Sequence, residues 1–327
     1  MKNKISIVIP FHKDVKLLEK CLSGISNSSF NEYEIIVVND TSKDLSHLKN
    51  EFDFKELSIP ETNVSKARNK GVKEAENDII LFIDEDVVVK EHTIKKIYES
   101  FENEDIDGLQ PTYTTESYYK NFASRFKNYY LHFRFWLNPS EFISSSDTFC
   151  FAVKKDAFES VSGFDEDFFA SYTCEDEDLG HRLNDNGYKI KLDENIQAMH
   201  VKKETVFSLL EMEFGTGRSM SHQFLTKKLS SDSNRTMQIS QNDIGTMLPI
   251  LASIFFIYGF FLSLILNRLY LSAFSFLAFS VLNYKFLYFL SRFEKISFLI
   301  FSIFMHFSGL FFASLGSLFG ISDFLKS

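Results

Sequence analysis

Ile79-Ile-Leu-Phe-Ile83-Asp84-Glu85-Asp86 is an uninterrupted apolar run closed by three adjacent carboxylates. Five apolar residues bounded by polar ones predict a short buried strand. Similar runs lie at Ile5 to Ile9, Glu34 to Val38 and Gly108 to Pro111. Between them, Val15 to Ile25 sets Leu17, Leu18, Cys21, Leu22 and Ile25 on one helical face, and Ser65 to Ala75 reads as a second helix. Strand, helix, strand, helix at this spacing predicts an α/β fold, a mostly parallel sheet with helices on both faces. Ligands of such sheets sit outside the carboxyl ends of the strands, so the residues that follow each strand are the ones to inspect.

Those residues are acidic. The second strand ends in Val37-Val-Asn-Asp40 and the one at Ile79 in Asp84-Glu85-Asp86. One acid after a strand can simply cap the next helix. Three in a row repel one another unless a cation or solvent relieves them, and oxygen ligands of this kind suit Mg²⁺ or Mn²⁺ held together with a diphosphate. Further on, Phe149 to Val153 reads as a strand and Lys154 to Ser160 as a short helix. Gly163-Phe-Asp-Glu166 and Cys174-Glu-Asp-Glu-Asp-Leu179 follow, the latter opening a helix that ends at Asn186-Gly187. First-turn acids complement a helix dipole. Crowded carboxylates also raise one another's pKa, which turns a side chain into a proton acceptor near neutral pH.

Six pieces in this order, Ser6-Ile-Val-Ile-Pro10, Val37-Val-Asn-Asp40, Ala67-Arg-Asn-Lys-Gly71, Phe82-Ile-Asp-Glu-Asp86, Gly163-Phe-Asp-Glu166 and Glu175-Asp-Glu-Asp-Leu179, resemble a family 2 glycosyltransferase with the GT-A fold over roughly residues 4–200. The resemblance implies an enzyme that uses a nucleotide-diphosphate sugar donor and a divalent cation, Mn²⁺ or Mg²⁺. It implies donor-binding roles for Pro10, Asp40, Arg68, Asp84 and Arg218, the last within Gly215-Thr-Gly-Arg-Ser219. Asp86 and His200 would be metal ligands, Asp176 the general base of an inverting displacement, and Glu175 and Asp178 acceptor-side residues. Glu177 is expected to face another way on the helix. Asn63, where relatives carry glycine, is expected to occupy a left-handed turn. The stretch from Tyr113 to Trp136 reads as a loop whose shape sets base, sugar, linkage and acceptor, its aromatic residues stacking on sugars or simply covering the membrane edge.

Phenylalanine accounts for 38 of 327 residues, and 17 of these fall among the 78 residues between Ile244 and Asp323, which hold only five formal charges. Met247 to Leu266, Leu269 to Leu290 and Ile296 to Ile321 each approach the ~20 apolar residues needed to cross a bilayer core. Asn267-Arg268 is a short link for a hairpin outside the membrane, so the alternatives are a re-entrant segment or longer and bent helices. Small residues in the third segment, Ser302, Ser308, Gly309, Ala313, Ser314, Gly316 and Ser317, predict close helix packing. Three parts are expected: a catalytic domain over 1–201, interfacial helices over 202–244 with Phe207, Leu209, Leu210 and Phe214 facing lipid or the catalytic domain, and membrane helices over 245–327. Arg292 and Lys295, with Lys227, Lys228 and Arg235, should share the cytosolic face with the catalytic domain.

With 35 basic against 44 acidic side chains, a nucleic-acid partner is disfavoured. Three cysteines without a repeated spacing argue for reduced thiols, and the basic start at Lys2 leads into a strand rather than a signal peptide. The expected acceptor is lipid-linked or a growing polysaccharide, because a soluble sugar needs no membrane anchor. A nucleotidyltransferase would also place acids and a metal after parallel strands, but with a glycine-rich basic loop where Pro10-Phe-His-Lys13 stands. A non-catalytic membrane scaffold that keeps the sheet is the third reading.

Overall fold

The computed structural model describes residues 4–41, 43–137, 140–166, 174–229 and 241–326, without the side chains of 227–229 and 241–247. The chain divides into two units, Met1–Lys203 and Glu204–Ser327.

In the first unit the order is β1 (Ile5–Phe11), α1 (Val15–Ser26), β2 (Tyr33–Asn39), α2 (Ser46–Lys49), β3 (Lys55–Ser58), α3 (Val64–Lys73), β4 (Ile79–Ile83), β5 (Val87–Val89), α4 (Thr93–Asn103), β6 (Gly108–Tyr113), α5 (Phe122–Trp136), β7 (Phe142–Ile143), β8 (Cys150–Lys154), α6 (Lys155–Ser160), α7 (Glu175–Asp185) and β9 (Ile190–His200). The strands form one sheet in the order β3-β2-β1-β4-β8-β6-β9-β5, with β7 on β9. From β3 to β4 every pairing is parallel. β8 then runs antiparallel to both β4 and β6.

Alternation along the central strands divides the core. Ile5, Ile7, Ile9, Ile79, Leu81 and Ile83 point to one face, with Leu18, Leu22 and Ile94. Val8, Ile80, Phe82, Phe151 and Val153 point to the other, with Ala67, Phe158, Leu179 and Leu183. A strand covered on both faces reads as a continuous apolar run, which is why β1, β2 and β4 stand out in the sequence. The aromatic stretch expected as a loop contains α5. Its buried residues, Ala123, Phe126, Tyr129, Leu131 and Phe133 among them, spread around the helix instead of forming a stripe, which hides the helical period.

The second unit is helical: α8 (Val206–Leu229), α9 (Gln241–Ile265), α10 (Leu269–Leu282), α11 (Tyr284–Ser291) and α12 (Ile296–Phe324). Leu248–Ile265 and Ile296–Phe324 are long and apolar enough to cross a membrane; α10 and α11 pass the same test only as a pair bent by 64°. Asn267 takes a left-handed conformation, φ 52°, which turns the chain sharply between α9 and α10. At the bend, the Asn283 amide donates to Ser253 Oγ (3.0 Å) and its oxygen meets His306 Nε2 (2.9 Å), so the break in the helix is tied to α9 and α12.

α8 packs lengthwise on α12. A Cβ at Gly217 would stand 2.0 Å from the Ala313 carbonyl oxygen, and one at Gly316 2.0 Å from that of Phe214, so only glycine permits the approach. Ser221 Oγ donates to the Ser317 carbonyl and Ser317 Oγ to that of Gly217, an offset that makes the two helices parallel. Phe214 therefore rests on Phe319, with centroids 5.4 Å apart, and Leu209 is buried; of the four residues expected to face lipid or the catalytic domain, Phe207 is the most exposed.

Candidate active site

The carboxyl ends of β1, β2 and β4 bring Pro10, Asp40 and Asp84 to one edge of the sheet. Asp40, just past β2, is buried; its Oδ1 lies 2.9 Å from His12 Nδ1, and its N–H donates to the Phe11 carbonyl. Glu85 accepts from the backbone N–H groups of His12 (2.9 Å) and Lys13 (3.3 Å), so the middle acid of the triplet fastens the loop after β1.

Arg68, in the second turn of α3, is the link between distant motifs. Its guanidinium donates through Nη2 to Asp84 Oδ1 at 2.8 Å and through Nη1 to Glu175 Oε1 at 2.7 Å, over the ring of Phe164. The side chain is 4% exposed, so this fork is a core ion pair. Burial pushes the Asp84 carboxyl up to about 7, against the pull of Arg68 and with help from Asp86, although 34% of the side chain still meets solvent.

Two further contacts explain why the Ala-Arg-Asn and Gly-Phe-Asp-Glu pieces occur together. Asn69 accepts from Phe164 N–H (3.0 Å) and donates to the Phe164 carbonyl (2.9 Å) and to Glu166 Oε1 (2.9 Å). Gly163 has φ +64°, and a Cβ there would meet Asn69 Oδ1 at 2.7 Å. From the other side, Arg182 donates to the carbonyls of Val161 (2.6 Å) and Gly163 (2.7 Å) while Asp178 holds it at 2.8 Å. Asp178 thus serves the loop around Gly163. Asn63 is not in a left-handed turn: with φ −84° and ψ 162° it is the N-cap of α3, accepting from Lys66 N–H at 2.9 Å. Asparagine and glycine are both good N-cap residues, and asparagine adds a side-chain acceptor for a first-turn N–H.

Asp86 begins the turn into β5, and β5 pairs antiparallel with β9 so that Val87 stands opposite His200. This brings His200 Nε2 to 3.3 Å from Asp86 Oδ2. Burial works to raise the Asp86 carboxyl, but His200, Lys127 and Lys202 outweigh it and hold the group down to about 2. Among the described residues no group of three or more His, Cys, Asp or Glu side chains converges on a metal position. A carboxylate and an imidazole 3.3 Å apart nevertheless fit two adjacent corners of an octahedron with bonds near ~2.1 Å, whose edge is about 3 Å, leaving the remaining corners to water and phosphate.

Asp176 lies one residue into α7. Its Oδ1 accepts from Glu177 N–H (2.9 Å) and its Oδ2 from Thr148 N–H (3.4 Å). Burial pushes its carboxyl up, Glu175, Asp147 and Glu177 push it further, and Arg68 opposes them. Glu177 does not stand apart, as its helix position suggested: its Oε1 is 3.4 Å from Arg134 Nη2, and both Glu177 and Arg134 act electrostatically on Asp147. Asp147, Arg134 and Glu177 are the residues that sequence reasoning left out of the site. Arg218 lies on α8 in the second unit, its Nε donating to Asp323 Oδ2 at 2.6 Å. Arg235, and the side chains of Lys227 and Lys228, lie outside the described residues.

Residues 6–162 match the family described as Glycosyl transferase family 2. Glycosyltransferase GlyG of Streptococcus pneumoniae serotype 4 is 28% identical over 114 residues, 33% of this chain and 38% of that protein. The poly(ribitol-phosphate) beta-N-acetylglucosaminyltransferase TarS of Staphylococcus aureus is 30% identical over 102 residues, 28% of this chain and 18% of that protein. The matches thus span well under half the length of these relatives. Among solved structures, the mannosyltransferase PcManGT from Pyrobaculum calidifontis, in complex with GDP-Man and Mn²⁺, superposes with a TM-score of 0.58 at 11% identity, covering 97% of this chain and 88% of that one. The chain carries a family 2 glycosyl transferase domain of GT-A fold, followed by apolar helices.

Proposed function

We propose that this chain is a membrane-attached, inverting glycosyltransferase that moves a sugar from a nucleotide-diphosphate donor to a lipid-linked or growing polysaccharide acceptor. The observation that carries the reading is the Arg68 fork, which joins the acid at the end of β4 to the first turn of α7. A donor diphosphate beside Asp84 and Asp86 would have its anomeric carbon in reach of an acceptor hydroxyl beside Asp176. The relatives support the substrate classes: PcManGT holds GDP-Man and Mn²⁺, and the name of TarS gives a polymeric acceptor.

In this reading Asp40 accepts a hydrogen bond from the nucleotide base, and Pro10, Arg68 and Asp84 line the donor. The acceptor oxygen attacks the anomeric carbon while its proton passes to Asp176. The bond from that carbon to the diphosphate oxygen breaks, the electron pair leaves with the diphosphate, and the anomeric configuration inverts. A divalent cation, Mn²⁺ or Mg²⁺, held by Asp86 and His200, would neutralise charge on the departing diphosphate. Glu175 and Asp178 stand on the acceptor side next to Asp176, Glu175 also holding Arg68 and Asp178 holding Arg182.

The deciding experiment titrates the purified chain with a panel of nucleotide sugars, with and without Mn²⁺. Binding to at least one donor should tighten with Mn²⁺ by about 10- to 100-fold, and Asp86→Ala should lose that increment while keeping its fold. No binding under either condition would favour a scaffold. Binding that Mn²⁺ and Asp86→Ala both leave unchanged would remove Asp86 from the metal.

The domain division proposed is a catalytic part over 1–201, a linking part over 202–244 and membrane helices over 245–327. On the positive-inside rule, Arg292 and Lys295 share the cytosolic side with the catalytic part, which requires the bent α10 and α11 to cross as one span. A cysteine placed at Lys295 should therefore be labelled from the same side as the N-terminus. Labelling from opposite sides would make the bent pair re-entrant.

A further inference from the structure

The loop over 144–148, between β7 and β8, is fastened from two directions. Toward the sheet, Asp147 N–H donates to Gln110 Oε1 at 2.8 Å, and Gln110, fully buried in β6, donates its amide to the carbonyls of Pro111 (3.0 Å) and Cys150 (3.3 Å). Toward α7, Ser146 Oγ donates to the Asp176 carbonyl at 2.6 Å and Thr148 N–H to Asp176 Oδ2 at 3.4 Å. Gly180 lets the helix come so close that a Cβ there would stand 2.3 Å from Ser146 N. Asp147 sits between Ser146 and Thr148, so the frame that holds Asp176 also fixes Asp147.

The local turn does not explain why this residue is an acid. Asp147 Oδ1 accepts from Phe149 N–H at 3.4 Å, a contact that asparagine would make equally well. Burial disfavours its charge, Arg134 and Arg68 favour it and Glu177 disfavours it, and Asp147 acts in turn on Asp84, Tyr113 and Cys150. A carboxyl placed in a buried loop beside the acids of α7, where burial raises its pKa, needs a reason beyond the turn.

We propose that Asp147 is a positioning residue of the transfer reaction, a second carboxylate that the 144–148 loop holds beside Asp176 where that residue takes the acceptor's proton, with Arg134 as its counterweight. The inference rests on the reading of Asp176 as the base. The other charges that act on Asp176 are Glu175 and Glu177 on its own helix, Arg68 from α3 and Arg134 from α5. A neighbouring negative charge raises the pKa of a carboxyl and a positive one lowers it. Removing Asp147's charge should therefore let Asp176 ionise at lower pH, and removing Arg134's should delay ionisation to higher pH.

The test is the pH profile of kcat/KM for nucleoside diphosphate release from the nucleotide sugar that the wild-type chain turns over fastest, with Mn²⁺ present. Asp147→Asn, which keeps the turn, should move the acid limb down by about 0.5 to 1 pH unit, and Arg134→Gln should move it up. A purely structural loop would lower kcat without displacing the limb. Unmoved limbs in both variants overturn the proposal, and so does a displacement of the same sign in both. Should Asp147→Asn fail to fold, the Arg134→Gln profile decides, since that side chain is half exposed. If Asp176→Asn retains full turnover, it is the base assignment that fails.

Discussion

Replacing Arg68 with methionine is expected to cost about 3–5 kcal/mol of stability and to abolish turnover. The volume is nearly kept, so the loss is electrostatic: Asp84 and Glu175 would remain at the edge of the core with no cation between them. Glu175, with 11% of its side chain exposed, carries most of the penalty; Asp84, at 34%, regains some water. Arg68→Lys should fare little better, because an ammonium is a single point and cannot span the two carboxylates that the planar fork reaches at 2.7 and 2.8 Å. Chemical denaturation of the detergent-solubilised chain measures the effect. A change under ~1 kcal/mol for both variants would mean that the fork is not a structural ion pair.

The sequence placed Arg68 near the donor but not its two partners. Spacing along a helix predicts neighbours three or four residues away. Asp84 is 16 residues from Arg68 and Glu175 is 107 away, and only the sheet order brings them together. Strands β1, β2 and β4 were legible because burial on both faces leaves a continuous apolar run, and the acids after them were found by looking beyond carboxyl ends. The same rule hid Asp147. Residues 149–153 were readable as a strand, but not as one that runs against β4. Reversing the strand brings its amino end to the edge where the other strands finish, so an acid that precedes β8 joins acids that follow β4. Direction depends on pairing, and pairing is not encoded in the period of a single segment. The pairing of Glu177 was missed for a related reason, since its partner Arg134 lies on α5, the helix whose buried ring of residues erased its own period.

Asp176→Asn separates the two roles that a first-turn acid can play. Asparagine keeps the volume and still accepts from Thr148 and Glu177 N–H groups, but it cannot take a proton at neutral pH. If Asp176 is the base, donor affinity should stay within a few-fold while turnover falls by ~10²- to 10⁴-fold. If it only complements the dipole of α7, the change should cost at most ~1 kcal/mol and leave turnover almost intact. Glu177→Gln cannot serve as the neutral comparison, because it would free Arg134 beside Asp147 and disturb the same cluster. Asp185 is the better control: it ends the same helix, is exposed and, among the described residues, makes no side-chain hydrogen bond or ion pair with the site, so Asp185→Asn should leave both affinity and turnover unchanged. Equal losses in Asp176→Asn and Asp185→Asn would trace the effect to helix stability. A large loss confined to Asp176→Asn, with donor binding retained, leaves proton transfer as the step that the carboxylate performs.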